Sequence, residues 1–112
     1  MTRKTGSYDE YHIEWLKDPA NAAAFLNAVI EDNDREAFLL ALRDVAQAQG
    51  GMTAIAEKTH VSRSSLYKTL SKRGNPEFGS ISKLLHGMGL RLKVEPDIGD
   101  GQYLSFVERG LL

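Results

Sequence analysis

Residues 62–73, SRSSLYKTLSKR, concentrate side chains that donate hydrogen bonds or carry positive charge. They include four serines, one tyrosine and four basic residues, and no acidic residue lies between Glu57 and Glu77. A guanidinium can form paired hydrogen bonds with guanine, and a hydroxyl can bond several base edges. Ammonium groups suit phosphates, which supply affinity without sequence information. The segment therefore has the chemistry of a surface that meets DNA.

Each of these side chains has an expected role if residues 62–71 form a helix with Leu66 and Leu70 turned inward. Arg63 would contact guanine, with a phosphate contact as an equal alternative. The candidates for contacting bases are Arg63, Ser64, Ser65 and Tyr67. The candidates for contacting phosphates are Thr53, Ser62, Lys68, Lys72, Arg73 and Lys83. For Lys83, ordinary solvated surface is an equal alternative.

A tight turn between two short helices, 52–59 and 62–71, would position these residues. Where two such helices cross, the first needs a small residue, and Ala56 occupies that place. His60 stands where the turn favours a residue that tolerates positive φ. Val61 supplies an apolar contact to the core, and Ser62 is a suitable N-cap for the second helix. The pattern predicts a helix-turn-helix.

The remaining segments predict a mainly all-α fold with a short C-terminal strand. Asp18 and Asp34 are N-cap candidates for helices over 19–33 and 35–49, and a last helix is expected over 77–88. Residues 90–95 alternate apolar and charged side chains and predict a strand, which would pair with a second copy or within the chain. Residues 11–15 also alternate, which predicts an extended arm. The expected divisions are an arm over 1–17, a DNA-binding domain over 18–96 and a tail over 97–112, where 103–107 is a second strand or a docking segment.

Charge is segregated along the chain although the net charge is only -1. Residues 1–51 carry five Lys or Arg against nine Asp or Glu, residues 52–94 carry eight against two, and residues 95–112 carry one against four. A basic middle between acidic ends is expected of a domain that meets phosphates on one face. Clustering of ordinary surface charge is the alternative explanation.

Composition and residue spacing argue against an enzyme, a metal-binding protein and a disulfide-stabilised protein. The chain has no cysteine, which excludes disulfides, thiolate zinc sites and a cysteine nucleophile. His12, His60 and His86 lack metal-ligand spacing, and no serine lies in a nucleophile elbow. We therefore expect no enzyme activity, no metal and no cofactor. Without a signal-peptide pattern or a membrane-length apolar run, a cytoplasmic protein is expected.

Residues 52–71, MTAIAEKTHVSRSSLYKTLS, resemble the Xre/lambda-repressor-like helix-turn-helix family. More narrowly, residues 17–96 resemble addiction-module antidote proteins, the HigA-like antitoxins. The matching strings are LKDPANAAAFLNAVIEDND and FLLALRDVAQAQGGMTAIAEKTHVSRSSLYKTLSKRGNPEFGSISKLLHGMGLRLKVEP. Two features depart from the pattern: His60 stands where the wider superfamily prefers Gly, and the tail after Pro96 is longer than the pattern needs.

The resemblance implies a five-helix lambda-repressor-like domain and a homodimer on a palindromic operator in double-stranded DNA. It also implies an antitoxin that neutralises a RelE/HigB-like ribonuclease toxin and represses its own operon. Because such ribonucleases are usually basic, the acidic N-terminal part, with Tyr11, Ile13 and Trp15, is the expected toxin-binding surface. The alternatives are a stand-alone prophage-type repressor and a protein-interaction module that does not bind DNA.

Overall fold

Local capping chemistry sets the helix boundaries in the computed structural model, which describes residues 4–71 and 75–97. The Asp18 side chain accepts a hydrogen bond from the Ala20 amide at 2.9 Å, and Asp34 accepts one from Ala37 at 3.1 Å. These bonds satisfy amides that a helix start leaves unpaired. The helices are α1 Lys4–Trp15, α2 Pro19–Glu31, α3 Arg35–Ala48, α4 Gly51–Thr59, α5 Arg63–Thr69 and α6 Phe78–Gly87. The prediction of a mainly helical chain is confirmed, and helices α2 to α6 lie where the sequence predicts them.

Helix α3 lies at the centre of the packing, because it contacts α1, α2 and α4. The predicted apolar stripe of α3 is buried at Leu39, Leu42, Val45 and Ala46. Helix α4 in turn packs against α5 and α6. The buried side chains of these three helices include Ile55, Leu66, Leu70, Leu84 and Leu85. One apolar cluster therefore connects the N-terminal helices to α5.

The predicted extended conformation of residues 11–15 is wrong, since Lys4–Trp15 is helical. Ile13 and Leu16, three residues apart, lie on the side that packs against the core, and Leu16 is fully buried. The His12 ring meets Phe25 of α2 edge-on, with 4.8 Å between the ring centroids. Tyr11 and Trp15, four residues apart, both remain exposed. Helical spacing therefore explains the pattern better than a period of two.

The predicted strand over residues 90–95 is also not found. The described residues contain no strand, and the chain after Gly89 is irregular and mostly exposed. A strand needs a partner, and residues 11–15, one proposed partner, are helical. Residues 103–107 and nearly all of the 97–112 tail lie outside the described residues. Among the described residues, no helix is long and apolar enough to cross a membrane.

Gly87 allows α6 to approach α4 closely. A methyl group at Gly87 would collide with the side-chain methyl of Thr59. Thr59 has little freedom to move away, because it is buried and its hydroxyl donates to the Ile55 carbonyl at 2.8 Å. We expect Gly87→Ala to lower the free energy of unfolding by about 1–2 kcal/mol, since overpacking outweighs the gain in helix propensity.

Urea denaturation measures this effect, and Gly79→Ala is the control. Gly79 lies in the same helix, but a methyl group there meets nothing within 4 Å. Gly79→Ala should therefore be neutral or stabilising. Thr59→Ser, which keeps the hydroxyl and removes the methyl, should recover most of the loss in Gly87→Ala. Equal effects of the two glycine substitutions would contradict the close approach of the helices.

Candidate nucleic-acid interface

A three-residue turn joins α4 to α5, as the sequence predicts. His60 is in the left-handed conformation with φ of 60°, and its amide donates to the Ala56 carbonyl. The Val61 amide donates to the same carbonyl at 3.3 Å, and the Val61 side chain packs against the core. These contacts tie the start of α5 to the body of α4.

Ser62 caps α5 and forms a small hydroxyl cluster there. Its Oγ accepts a hydrogen bond from the Ser65 amide at 3.1 Å, which confirms the predicted N-cap. The same hydroxyl donates to Ser65 Oγ at 2.9 Å and lies 3.3 Å from Ser64 Oγ. The hydroxyls of Ser64 and Ser65, which are predicted to contact bases, are therefore already arranged around the Ser62 cap in the free protein.

Leu66 and Leu70 are buried, so helical geometry fixes how the rest of α5 is presented. Ser64 and Lys68 lie opposite the buried side, at the centre of the exposed face. Arg63 and Tyr67 lie on one flank of this face, and Ser65 and Thr69 lie on the other. All four candidates for contacting bases are exposed: Arg63, Ser64, Ser65 and Tyr67.

The two flanks of α5 border different grooves. On the Tyr67 side, the groove is lined by residues of α3 and the start of α4, including Leu40, Arg43, Gln47 and Met52. On the Ser65 side, the groove runs along α6 and is lined by Glu77, Ser80 and Lys83. These α3 residues are not among the candidates that the sequence predicts. The sequence feature that could have identified them is the spacing of Leu40, Arg43 and Gln47. This spacing places the three residues on one side of α3, away from its buried stripe.

Arg63 and Tyr67 contact each other along their flank of α5. Arg63 Nη2 donates to Tyr67 Oη at 3.5 Å, and the guanidinium carbon lies 5.7 Å from the ring centroid. This separation is within the range of a cation–π interaction. The two largest polar side chains of the candidate interface are therefore held together in the free protein.

The described candidates for contacting phosphates are spread over the starts of α4 and α5, the α5 face and the middle of α6. Thr53 is exposed in the first turn of α4, where the Gly50 N-cap supplies no side-chain hydrogen bond. Lys68 is exposed on α5, and Lys83 is exposed on α6 beside the groove that contains Ser65. Lys72 and Arg73 lie outside the described residues.

The residues proposed to meet a toxin divide into two groups on α1. Tyr11 and Trp15 are 78% and 47% exposed, whereas Ile13 is half-buried and packs against the core. Ile13, Glu10 and Glu14 line a shallow groove with Gln47 of α3. His12 Nε2 lies 3.4 Å from Asp44 Oδ2, and this contact also joins α1 to α3. Tyr11 and Trp15 thus project from an acidic helix that is firmly packed against the domain.

The described part of the chain contains no group of three or more residues arranged to hold a metal ion. What the arrangement can do follows from α5: a capped, anchored helix presents hydroxyl, guanidinium and ammonium donors on its outer side. Such a face can donate hydrogen bonds to the acceptor atoms of an extended polar ligand, which is binding and requires no covalent chemistry.

Comparison with known proteins places this arrangement in a family. The family described as "Probable addiction module antidote protein" matches residues 7–96, which include α2 to α6 and most of α1. An uncharacterised protein of Haemophilus influenzae is 33% identical over 95 residues, covering 85% of this chain and 95% of the relative. No solved structure gives a significant match. The chain therefore belongs to the family of probable addiction module antidote proteins.

Proposed function

We propose that the chain is a DNA-binding antitoxin: it neutralises a RelE/HigB-like ribonuclease toxin and represses its own operon. The observation that carries the DNA part is the exposed face of α5, which is rich in donors and whose opposite side is fixed in the core. The antitoxin part rests on the family description, which names an addiction-module antidote. Helices α4 and α5 would act as a helix-turn-helix of the Xre/lambda-repressor-like type.

In this proposal α5 lies in the major groove with its first turn toward the bases. Arg63 and Ser64 are then the nearest candidates for base edges. Ser65 is turned toward the α6 groove, so its hydroxyl would meet the edge of the contacted site. Lys68, Lys83 and the first amides of α4 near Thr53 would contact phosphates on either side, which fixes the register of the protein on the duplex.

A palindromic operator requires two copies of the chain, so the proposal includes a homodimer. The exposed segment after Gly89 supports this part. Leu92 and Val94 alternate with charged residues and are exposed in the single chain. Pairing of residues 90–95 with the same segment of a second copy would supply the missing strand partner and cover these side chains.

Mapping the DNA contact by NMR tests the placement of the interface. We expect a duplex that carries the upstream promoter to shift the amide signals of α5 and of the starts of α4 and α6. Signals of α2, which packs against α3, should move little. Shifts confined to α1 and α2 would contradict the proposed orientation.

The toxin would bind the exposed aromatic side of α1. Glu10, Glu14 and neighbouring carboxylates make this helix attractive to a basic partner. Tyr11 and Trp15 are of the aromatic type that contributes most at interfaces, and they are exposed. Ile13 supports α1 through the core and would contact a partner only at its exposed edge.

We expect Trp15→Ala to weaken capture of the toxin by at least about 2 kcal/mol, the size of an interface hot spot. Calorimetric titration with a purified RelE/HigB-like toxin checks this. Ile30→Ala is the matched control, because Ile30 is equally exposed at 47% but lies on α2. Point variants are preferable to removing residues 1–17, which would also remove the fully buried Leu16. Unchanged affinity in Trp15→Ala and Tyr11→Ala would place the toxin surface elsewhere.

A further inference from the structure

Tyr67 borders a groove of the domain and also contacts Arg63. This groove lies beside α5 and is lined by residues of α3 and α4, including Leu40 and Met52. Tyr67 is 44% exposed, so more than half of its surface is covered. Ser64 and Lys68, at the centre of the α5 face, line neither groove beside the helix. Tyr67 thus lies partly covered at the edge of a groove that α3, α4 and α5 line.

Arg63 lines neither of these grooves, and its side chain contacts Tyr67. It lies at the start of α5 and is exposed, and an unrestrained Arg side chain loses considerable rotamer freedom when it binds. In the structure the guanidinium instead rests beside the Tyr67 ring and donates to its hydroxyl. Ordering the guanidinium before DNA arrives reduces the entropy lost on binding.

We propose that Tyr67 is a positioning residue, which sets base specificity by holding the Arg63 guanidinium rather than by contacting a base. This inference rests on the proposed DNA-binding function. It makes the ring of Tyr67 the essential part, because the cation–π contact uses the ring face, whereas the hydrogen bond is long. It also differs from the expectation that Tyr67 itself contacts a base.

A double-mutant cycle on the full chain tests this role, with the upstream promoter duplex as the probe. Tyr67→Leu, which removes the ring, should weaken binding to the promoter about two- to fivefold, as expected for an exposed cation–π contact. It should also reduce discrimination at the base pair where Arg63→Ala relaxes preference. Tyr67→Phe, which keeps the ring, should stay within about twofold of the wild type. In the Arg63→Ala background, Tyr67→Leu should have no further effect.

Additive losses from Arg63→Ala and Tyr67→Leu would overturn the proposal, because they would show that Tyr67 contacts DNA independently. Nitrogen relaxation of the Arg63 side-chain Nε in the free protein gives a second measurement. If Tyr67 only stabilised the fold, replacing it would not change the mobility of this Nε. The Nε should be ordered in the wild type and in Tyr67→Phe, and mobile in Tyr67→Leu. Equal mobility in all three proteins would also overturn the proposal. Failure of the wild type to bind the promoter would instead contradict the proposed function itself.

Discussion

Arg63→Ala is expected to weaken binding to the operator by about 1–3 kcal/mol and to relax preference at one base pair. Arg63 is exposed in the first turn of α5, the part of such a helix that meets base edges. Its planar guanidinium can form two hydrogen bonds with guanine, so its removal affects affinity and discrimination together. Binding titrations against the operator and single-base variants measure both quantities.

Two further substitutions separate charge from geometry at this position. Arg63→Lys keeps the positive charge but loses the paired donors, so it should lose most of the base discrimination. Lys68→Ala should weaken binding to all sequences alike and reduce the salt slope by about one. If Arg63→Ala behaved in the same way as Lys68→Ala, Arg63 would be a phosphate contact, and the placement of the base-contacting face would be wrong.

Leu42→Ala is expected to lower the free energy of unfolding by about 2–5 kcal/mol, the range for removing a large buried side chain. Leu42 is fully buried in α3, the helix that contacts α1, α2 and α4. Leu42 belongs to the apolar core cluster, so its truncation would leave a cavity within that cluster. Urea denaturation followed by circular dichroism measures the loss.

Leu40→Ala is the matched control for the core. Leu40 lies two residues away on the same helix and is 43% exposed, at the edge of the groove beside Tyr67. Its replacement removes the same atoms from a partly solvated position, so the loss should be below about 1 kcal/mol. Similar losses in the two variants would contradict the central position of α3.

Features that depend on neighbouring residues could be predicted from the sequence. His60 in the left-handed conformation and Ser62 as the N-cap follow from the residue types that a tight turn needs. The inward side of α5 follows in the same way, because Leu66 and Leu70 are four residues apart. These local rules place the exposed donors on one face without knowledge of the rest of the fold.

Features that depend on tertiary packing could not be predicted in this way. Five residues of α1 fit both a strand and a helix, and only the contacts of His12 and Leu16 with the domain distinguish them. The segment over 90–95 has a strand pattern, but a strand forms only where a partner is present. Likewise, the groove that Tyr67 borders is lined by α3, more than a dozen residues away in the chain, and by the start of α4.

Titration of the purified chain against its upstream promoter duplex and a scrambled duplex, at two salt concentrations, tests the DNA-binding proposal most directly. Since neutralised phosphates release counterions, binding should weaken steeply as salt rises. We expect tight, salt-sensitive binding to the promoter and much weaker binding to the scrambled duplex. Equal weak binding to both, with little dependence on salt, would contradict DNA binding by α5 and would favour a face that meets a protein.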